Sequence, residues 1–198
     1  MFKGIFLSLL MVITIVPKSL FANDDVTTVP WVDLNLYVGK WFEIASIPQS
    51  FQRKCVRNTT AEYSLVQNDL IKVLNSCDKE DGKRMMAEGR ARIEDTTSNS
   101  KLRVTFVKLI QWVFTFGGNY WIIDLAPDYS YAVVGDPSRK YLWILARQPT
   151  LPIKTLATIE RKITDQGYDS SLILTSIQNG GFDTRKPLPE VIGGNDNY

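Results

Sequence analysis

Apolar and polar residues alternate along the chain from about residue 38 to residue 147, and turn-forming residues interrupt the alternation roughly every 8 to 12 residues. A period of two is typical of strands that bury one face. The predicted strands A to H cover residues 40–47, 59–66, 70–77, 84–93, 101–108, 119–125, 130–135 and 140–147. Eight antiparallel strands joined by short loops favour an all-β fold, a closed up-and-down barrel that holds one small ligand or is filled by side chains.

A helical pattern follows the last of these strands. Thr150 is a candidate N-cap, Pro152 falls in the first turn and Gly167 is a stop signal, which predicts a helix over about residues 152–166. Four apolar residues share one helical face, at Ile153, Leu156, Ile159 and Ile163. We expect this C-terminal helix to pack on the outside of the barrel.

The chain after the helix divides into two parts. A short strand is predicted from Leu172 to Ser176, so that the barrel domain spans residues 23–178. Residues 179–198 are rich in Gly, Pro, Asn and Asp, and this composition predicts a disordered tail.

The first 22 residues have the composition of a secretory signal peptide. Lys3 precedes an apolar run from Ile5 to Val16, and Ala22 precedes a polar stretch; the run is too short for a typical spanning helix. A retained membrane anchor is the alternative. No cysteine lies near the expected cut after Ala22, so we expect an exported protein, periplasmic or secreted, that is at most peripheral to the outer membrane and is not a lipoprotein.

The net charge expected after removal of the leader bears on which partners the protein can attract. Removal of Lys3 and Lys18 with the leader would lower the formal net charge from +2 to zero. A neutral protein has no general attraction for nucleic acid or anionic membranes, so we expect no nucleic-acid partner.

Cysteine and histidine usage limits the chemistry. Cys55 and Cys77 are the only cysteines, and in an exported chain they predict one disulfide, with two buried thiols as the alternative. The chain contains no histidine, which excludes histidine-based hydrolysis, and two separated cysteines cannot build a zinc site. We therefore expect no metal, no cofactor and no enzymatic activity.

Four segments, in order along the chain, resemble the signatures of the lipocalin family. They are Tyr37–Ala45 (YVGKWFEIA), Glu88–Ala91 (EGRA), Tyr120–Asp124 followed by Asp128-Tyr129, and Tyr141–Pro149 (YLWILARQP). The resemblance is to the bacterial lipocalin and apolipoprotein D branch, and it covers residues 30 to about 178. It implies structural roles for Gly39, Trp41 and Arg147, with the Arg147 guanidinium over the Trp41 indole at the closed end of the barrel.

Alternation from Trp41 and Arg147 predicts which side chains face the interior. The predicted interior residues are Tyr63, Leu65, Val104, Phe106, Tyr131, Tyr141, Trp143 and Leu145. This apolar and aromatic lining suits an acyl chain, although some of these residues could instead fill the barrel. A shift of one residue in any strand would reverse its faces.

The family topology places four loops at the open end, over residues 48–58, 78–83, 109–118 and 136–140. The third of these is unusually apolar, with Leu109, Ile110, Trp112, Phe114 and Phe116. One interpretation is that these residues fold inward over the interior or form a homodimer contact. The other is a rim that touches a membrane transiently while a lipid enters or leaves.

Two basic pairs are candidates for holding a phosphate or carboxylate headgroup, Arg53 with Lys54 and Arg90 with Arg92. A solvated outer face is the alternative for Arg90 and Arg92. Glu43 alternates with Trp41 and should point inward, where it needs a partner, and Arg90 or Arg92 is a candidate for that role.

These observations favour a carrier. The resemblance implies binding and transport or storage of a fatty acid or lysophospholipid at the bacterial cell envelope, in the service of membrane maintenance. One alternative is a protein-interaction module that uses the loops of the open end. The other is a lipid-modifying enzyme, which would need a free cysteine inside the barrel.

Overall fold

Eight antiparallel strands close into a barrel in the computed structural model, which describes residues 25–67, 69–107, 114 and 117–194. The strands are β1 Gly39–Ser46, β2 Arg57–Gln67, β3 Leu70–Asp78, β4 Arg84–Ile93, β5 Lys101–Thr105, β6 Gly118–Leu125, β7 Tyr131–Gly135 and β8 Leu142–Ala146. Each strand pairs with the next, and β1 pairs with both β2 and β8 to close the barrel. The predicted eight-stranded all-β barrel is confirmed.

The closed end and the open end of the barrel are built from different elements. A one-turn helix, α1 (Leu34–Tyr37), leads into β1 at the closed end. β1 pairs with β2 only over its closed-end half, Gly39–Phe42. At the open end a short ninth strand, β9 (Leu174–Thr175), pairs with Ala45 and Ser46 of β1.

The apolar residues form two cores, one inside the barrel and one outside it. Trp41, Ile122 and Val134 belong to the inner core. The outer core lies beneath helix α2 (Ile153–Asp165), whose Leu156, Ile159 and Ile163 are buried against the barrel wall. The predicted packing of this helix on the outside of the barrel is confirmed. The helix begins after an N-cap at Pro152 rather than at Thr150.

The segment after β9 differs from the disordered tail that its composition predicted. Residues 179–194 include helix α3 (Leu188–Gly193), whose Leu188 is fully buried in the outer core. Backbone hydrogen bonds join Thr175 to Lys186 and Leu188 to Ile173. A few anchoring contacts therefore order a segment whose average composition is polar and rich in glycine and proline.

The predicted disulfide is present between Cys55 and Cys77, whose Cα atoms are 5.4 Å apart. It ties the loop before β2 to the end of β3 at the open end of the barrel. The helices in the part of the chain that the structure describes are too short or too polar to cross a membrane. The predicted leader, residues 1–22, lies outside the described residues.

Candidate functional site

The closed end is sealed by one arginine. The Arg147 guanidinium lies 3.7 Å from the centroid of the Trp41 ring. It also donates hydrogen bonds to the carbonyl oxygens of Lys40, Leu36, Tyr37 and Val38, at 2.6 to 3.1 Å. Gly39 has a φ of +97°, and a Cβ there would lie 3.3 Å from Nη1 of Arg147. These contacts close this end of the barrel over Trp41, which is fully buried.

Three tyrosines form a hydrogen-bonded cluster above that seal, here called the tyrosine cluster (Tyr37, Tyr63 and Tyr120). The Tyr120 hydroxyl donates to the Tyr63 hydroxyl at 2.8 Å, and the Tyr37 and Tyr120 hydroxyls are 2.7 Å apart. A hydroxyl has one proton, so Tyr37 is the donor to Tyr120. Burial raises the pKa of all three side chains, that of Tyr63 to about 12.

Above the tyrosine cluster the barrel encloses a cavity of about 440 Å³. Its wall is mainly apolar, with Val73, Val104, Phe106, Trp143 and Leu145 among the lining residues. The Phe106 ring can reach inward because it lies over Gly89, which has no side chain. A Cβ at Gly89 would lie only 2.7 Å from the ring. The polar lining side chains include Glu43, Gln52, Thr59, Asn75 and Ser76.

Five of the eight predicted interior residues line this cavity, namely Tyr63, Val104, Phe106, Trp143 and Leu145. Leu65 lies two residues beyond Tyr63 toward the closed end, past the tyrosine cluster, and is exposed. Tyr141 precedes β8, is also exposed, and stacks beside Trp143 with ring centroids 6.2 Å apart. The predicted cavity contacts of Leu65 and Tyr141 are therefore wrong.

The prediction for Tyr131 is wrong by one residue of strand register. Ala132 and Val134 of β7 pair with Leu145 and Trp143 and face inward, so Tyr131 faces the helix side. Its hydroxyl donates to Asp124 at 3.1 Å.

None of the four basic headgroup candidates lines the cavity. Gly89 and Ala91 of β4 are buried, which places Arg90 and Arg92 on the outer face of the barrel. Lys54 is exposed, and Arg53 donates from Nε to the carbonyl oxygen of Ser50 at 3.2 Å.

Glu43 is buried and faces the cavity, but its partners are neutral. Its Oε1 accepts hydrogen bonds from Ser46 at 3.1 Å and from Ser176 at 2.5 Å. Its Oε2 accepts one from Gln52 at 2.9 Å. The expected pairing with Arg90 or Arg92 is therefore wrong, because both arginines lie on the opposite face of the wall.

The apolar loop between β5 and β6 is described only at Phe114; Leu109, Ile110, Trp112 and Phe116 lie outside the described residues. Phe114 is buried, and the Arg92 guanidinium stacks on its ring at 4.5 Å. Since Arg92 is on the outer face of β4, Phe114 packs against the outside of the barrel and does not fold over the cavity.

The open end nevertheless presents large apolar side chains to solvent. We call them the apolar rim: Phe51, Met86, Phe106, Val107 and Tyr141. They come from four different segments around the opening. Sequence reasoning missed Phe51, because a single apolar residue in a polar loop carries no periodic signal. It missed Met86 because Met85, Met86 and Ala87 form an apolar run in β4 that has no alternation to interpret.

Both cysteines of the chain line the cavity and are bonded to each other, so the barrel holds no free thiol. The acidic and cysteine side chains that the structure describes form no group of three that could hold a metal ion. The arrangement thus offers an apolar cavity with a few polar points on its wall.

Comparison with known proteins supplies independent information. A family model described as a lipocalin-like domain matches residues 32–178. The chain is 38% identical over 170 residues to temperature-induced lipocalin-1 of Arabidopsis thaliana, covering 85% of this chain and 91% of that protein. It is 34% identical over 165 residues to the outer membrane lipoprotein Blc of Vibrio cholerae, covering 82% and 84%. It is 36% identical over 155 residues to rat apolipoprotein D, covering 74% and 77%.

Solved structures agree on the fold. Insecticyanin from the tobacco hornworm Manduca sexta superposes with a TM-score of 0.58 at 22% sequence identity, over 83% of this chain and 94% of that one.

Proposed function

The chain belongs to the lipocalin family, and we propose that it binds a single-chain lipid, a fatty acid or a lysophospholipid, in its barrel and transports or stores it. Members of this family bind small hydrophobic ligands. The observation that carries the proposal is the cavity of about 440 Å³, closed at one end by Arg147 and Trp41 and lined mainly by apolar side chains. This volume lies within the roughly 300–1,000 Å³ typical of small-molecule sites.

We expect the acyl chain to occupy the cavity between Val73, Val104 and Leu145, with the tyrosine cluster beneath it. The disulfide argues against the alternative of a lipid-modifying enzyme, which would need a free cysteine inside the barrel.

A substitution that fills the cavity tests the proposal. Ala61 is a buried lining residue of β2, and its neighbour Glu62 is exposed on the outer face. Ala61→Phe should therefore abolish or strongly weaken lipid binding, while Glu62→Phe should leave it unchanged. Native mass spectrometry with lipid extraction would identify the ligand carried by the wild type, and titration with palmitate and lysophospholipid would give affinities.

Failure of the wild type to bind either lipid would overturn the proposal. Equal binding by the Ala61→Phe and Glu62→Phe variants, both verified as folded, would show that the ligand does not bind in the cavity.

The apolar rim supports a second part of the proposal, that the open end touches a membrane transiently while lipid is exchanged. Exposed apolar side chains that surround the entrance of a lipid cavity are placed to enter the interfacial layer of a bilayer. Phe51 is 64% exposed at the open end, and Leu36 is 56% exposed at the closed end, so Leu36 is a control of similar exposure.

Phe51→Ser and Val107→Ser should slow lipid transfer from vesicles, and Leu36→Ser should not. If the rim variants instead convert a dimer to a monomer in analytical ultracentrifugation and transfer lipid normally, the rim is a homodimer contact. If they lose a protein partner in pull-down, the rim serves a protein-interaction module.

We further propose that the protein is exported to the envelope and acts there in membrane maintenance, in the periplasm or outside the cell. The disulfide supports this location, because such bonds persist in oxidising compartments. A mature protein that begins at Asn23 and carries no acyl group is the expected mass-spectrometric result. An acylated or unprocessed protein would contradict it.

A further inference from the structure

The described part of the cavity wall is nearly without charged side chains and has no basic ones. Among the lining residues that the structure describes, Glu43 is the only one that belongs to an acidic or basic type, and neither lysine nor arginine is present. An ionised carboxylate or phosphate held inside the cavity would thus meet no counter-charge on the lining and would lie in the same cavity as Glu43; Arg53 and Arg185 line a separate small pocket on the far side of Glu43 and Gln52. Placing an anion in such surroundings is costly.

Asn75 supplies an unused hydrogen-bond acceptor on this wall. Its Oδ1 is buried and has no hydrogen-bond partner among the described residues. Asn75 lies between Ala61 on β2 and Ala87 on β4, both of which also line the cavity. Buried polar atoms are nearly always paired, so an unpaired acceptor facing a ligand cavity points to a donor on the ligand.

Tyr63 supplies a matching donor. In the tyrosine cluster the proton of Tyr37 goes to Tyr120 and that of Tyr120 goes to Tyr63, so the proton of Tyr63 is left for an acceptor. The described residues provide none, and Tyr63 lines the cavity. A donor at the end of a hydroxyl chain is strengthened by the bonds behind it.

Tyr63 and Asn75 lie on adjacent strands and line the same cavity. Tyr63 pairs with Val73 in the sheet, so Asn75 is its diagonal neighbour on the adjacent strand. A hydroxyl can accept a proton from Tyr63 and donate its own to Asn75, whereas an ionised carboxylate can only accept.

We propose that the polar group bound inside the cavity is an uncharged hydroxyl, held between Tyr63 and Asn75, and that the preferred ligands are single-chain neutral lipid alcohols such as long-chain alcohols or monoacylglycerols. This inference rests on the proposed function, a single-chain lipid held in the barrel, and changes its preferred ligand from a fatty acid or lysophospholipid to a neutral lipid alcohol.

The test compares 1-hexadecanol with palmitate, two ligands with the same chain and different polar groups. Titration of the wild type at neutral pH, by displacement of a fluorescent lipid, should show hexadecanol binding about tenfold or more tightly than palmitate. Asn75→Leu and Tyr63→Phe should each remove most of that preference, mainly by weakening hexadecanol. Glu62→Leu, which alters an exposed residue on the outer face of β2, should preserve it.

Each other outcome has a definite meaning. If neither ligand binds the wild type but lysophospholipid does, lipid binding stands and the hydroxyl assignment is overturned; if lysophospholipid also fails to bind, the proposed lipid carrier itself fails. If palmitate binds as tightly as hexadecanol or more tightly, lipid binding stands and the hydroxyl assignment is overturned. If both the folded Asn75 and Tyr63 variants keep the wild-type preference, the assignment to this pair is wrong. Tyr63→Phe keeps the test valid should Asn75→Leu fail to fold.

Discussion

At the scale of single residues, the tyrosine cluster is the most unusual chemical feature of the interior. Three phenols lie against the sealed end, and their hydroxyls hydrogen-bond mainly to one another. Desolvation by burial is the largest cause of the raised pKa of each side chain. The folded protein therefore holds them in the neutral form, while an unfolded tyrosine ionises near pH 10.

This difference predicts a loss of stability at alkaline pH. The contribution of Tyr63 is fully present below about pH 10, the unfolded pKa, and is lost as the pH rises toward about 12, its folded pKa. Urea unfolding at a series of pH values should show the free energy of unfolding falling across this window. Tyr63→Phe should reduce the slope, and a slope unchanged by that substitution would contradict the assignment.

The residues of the site were predictable where alternation is clear. Trp143 and Leu145 follow from Arg147, since all three share one face of strand H. The interior placement of Glu43 also followed from alternation, but its partners did not, because Ser176 is far away in sequence and Gln52 belongs to an irregular loop. The role of Asn75 could not be predicted, since it depends on an unpaired atom rather than on a pattern.

At the scale of elements, the loop after α2 is attached to the end of β7 through Tyr168. Its hydroxyl accepts from the backbone N–H of Asp136 at 3.0 Å and donates to the carbonyl of the same residue at 2.8 Å. The ring packs so closely that a Cβ on Gly135 would lie 2.1 Å from the hydroxyl oxygen. The absence of a side chain at Gly135 thus allows the helix and the barrel to lock together.

Gly135→Ala should lower the free energy of unfolding by about 1–3 kcal/mol, because the new methyl group overlaps the Tyr168 hydroxyl. Gly118→Ala is the control, since a Cβ at that position meets no atom within 4 Å. Thermal or urea unfolding measures both. Similar stabilities of the two variants would show that Tyr168 can move aside at little cost.

β7 also shows why the sequence could not predict which side chains of some strands face the interior. Its five residues include Ala132 and Val134 facing the interior and Val133 facing the outer core beneath α2, and all three are fully buried. A strand covered on both faces has no alternation to interpret. The strands with one solvated face carried the pattern that predicted the barrel.

At the scale of the whole molecule, the disulfide links the open-end loop before β2 to the wall of the cavity. It closes a loop with a sequence separation of 22 residues. The double substitution Cys55→Ser and Cys77→Ser should lower the free energy of unfolding by about 3 kcal/mol in the chain-entropy model. Denaturant unfolding of this variant and of the reduced wild type should agree, and a negligible effect in both would show that the bond is not needed to hold this end of the barrel.

The wall of the barrel at the open end is completed by a segment that follows helix α2 in the chain. β9 pairs with the half of β1 that β2 leaves free, and the Gln178 side chain donates to the carbonyl oxygens of Glu43 on β1 and Thr59 on β2, both at 2.8 Å. Residues 174–178 thus give β1 its second neighbour at the open end. The two Gln178 hydrogen bonds span 135 and 119 residues of sequence, and contacts between such distant residues are slow to form, so we expect this part of the wall to be completed late when the chain folds.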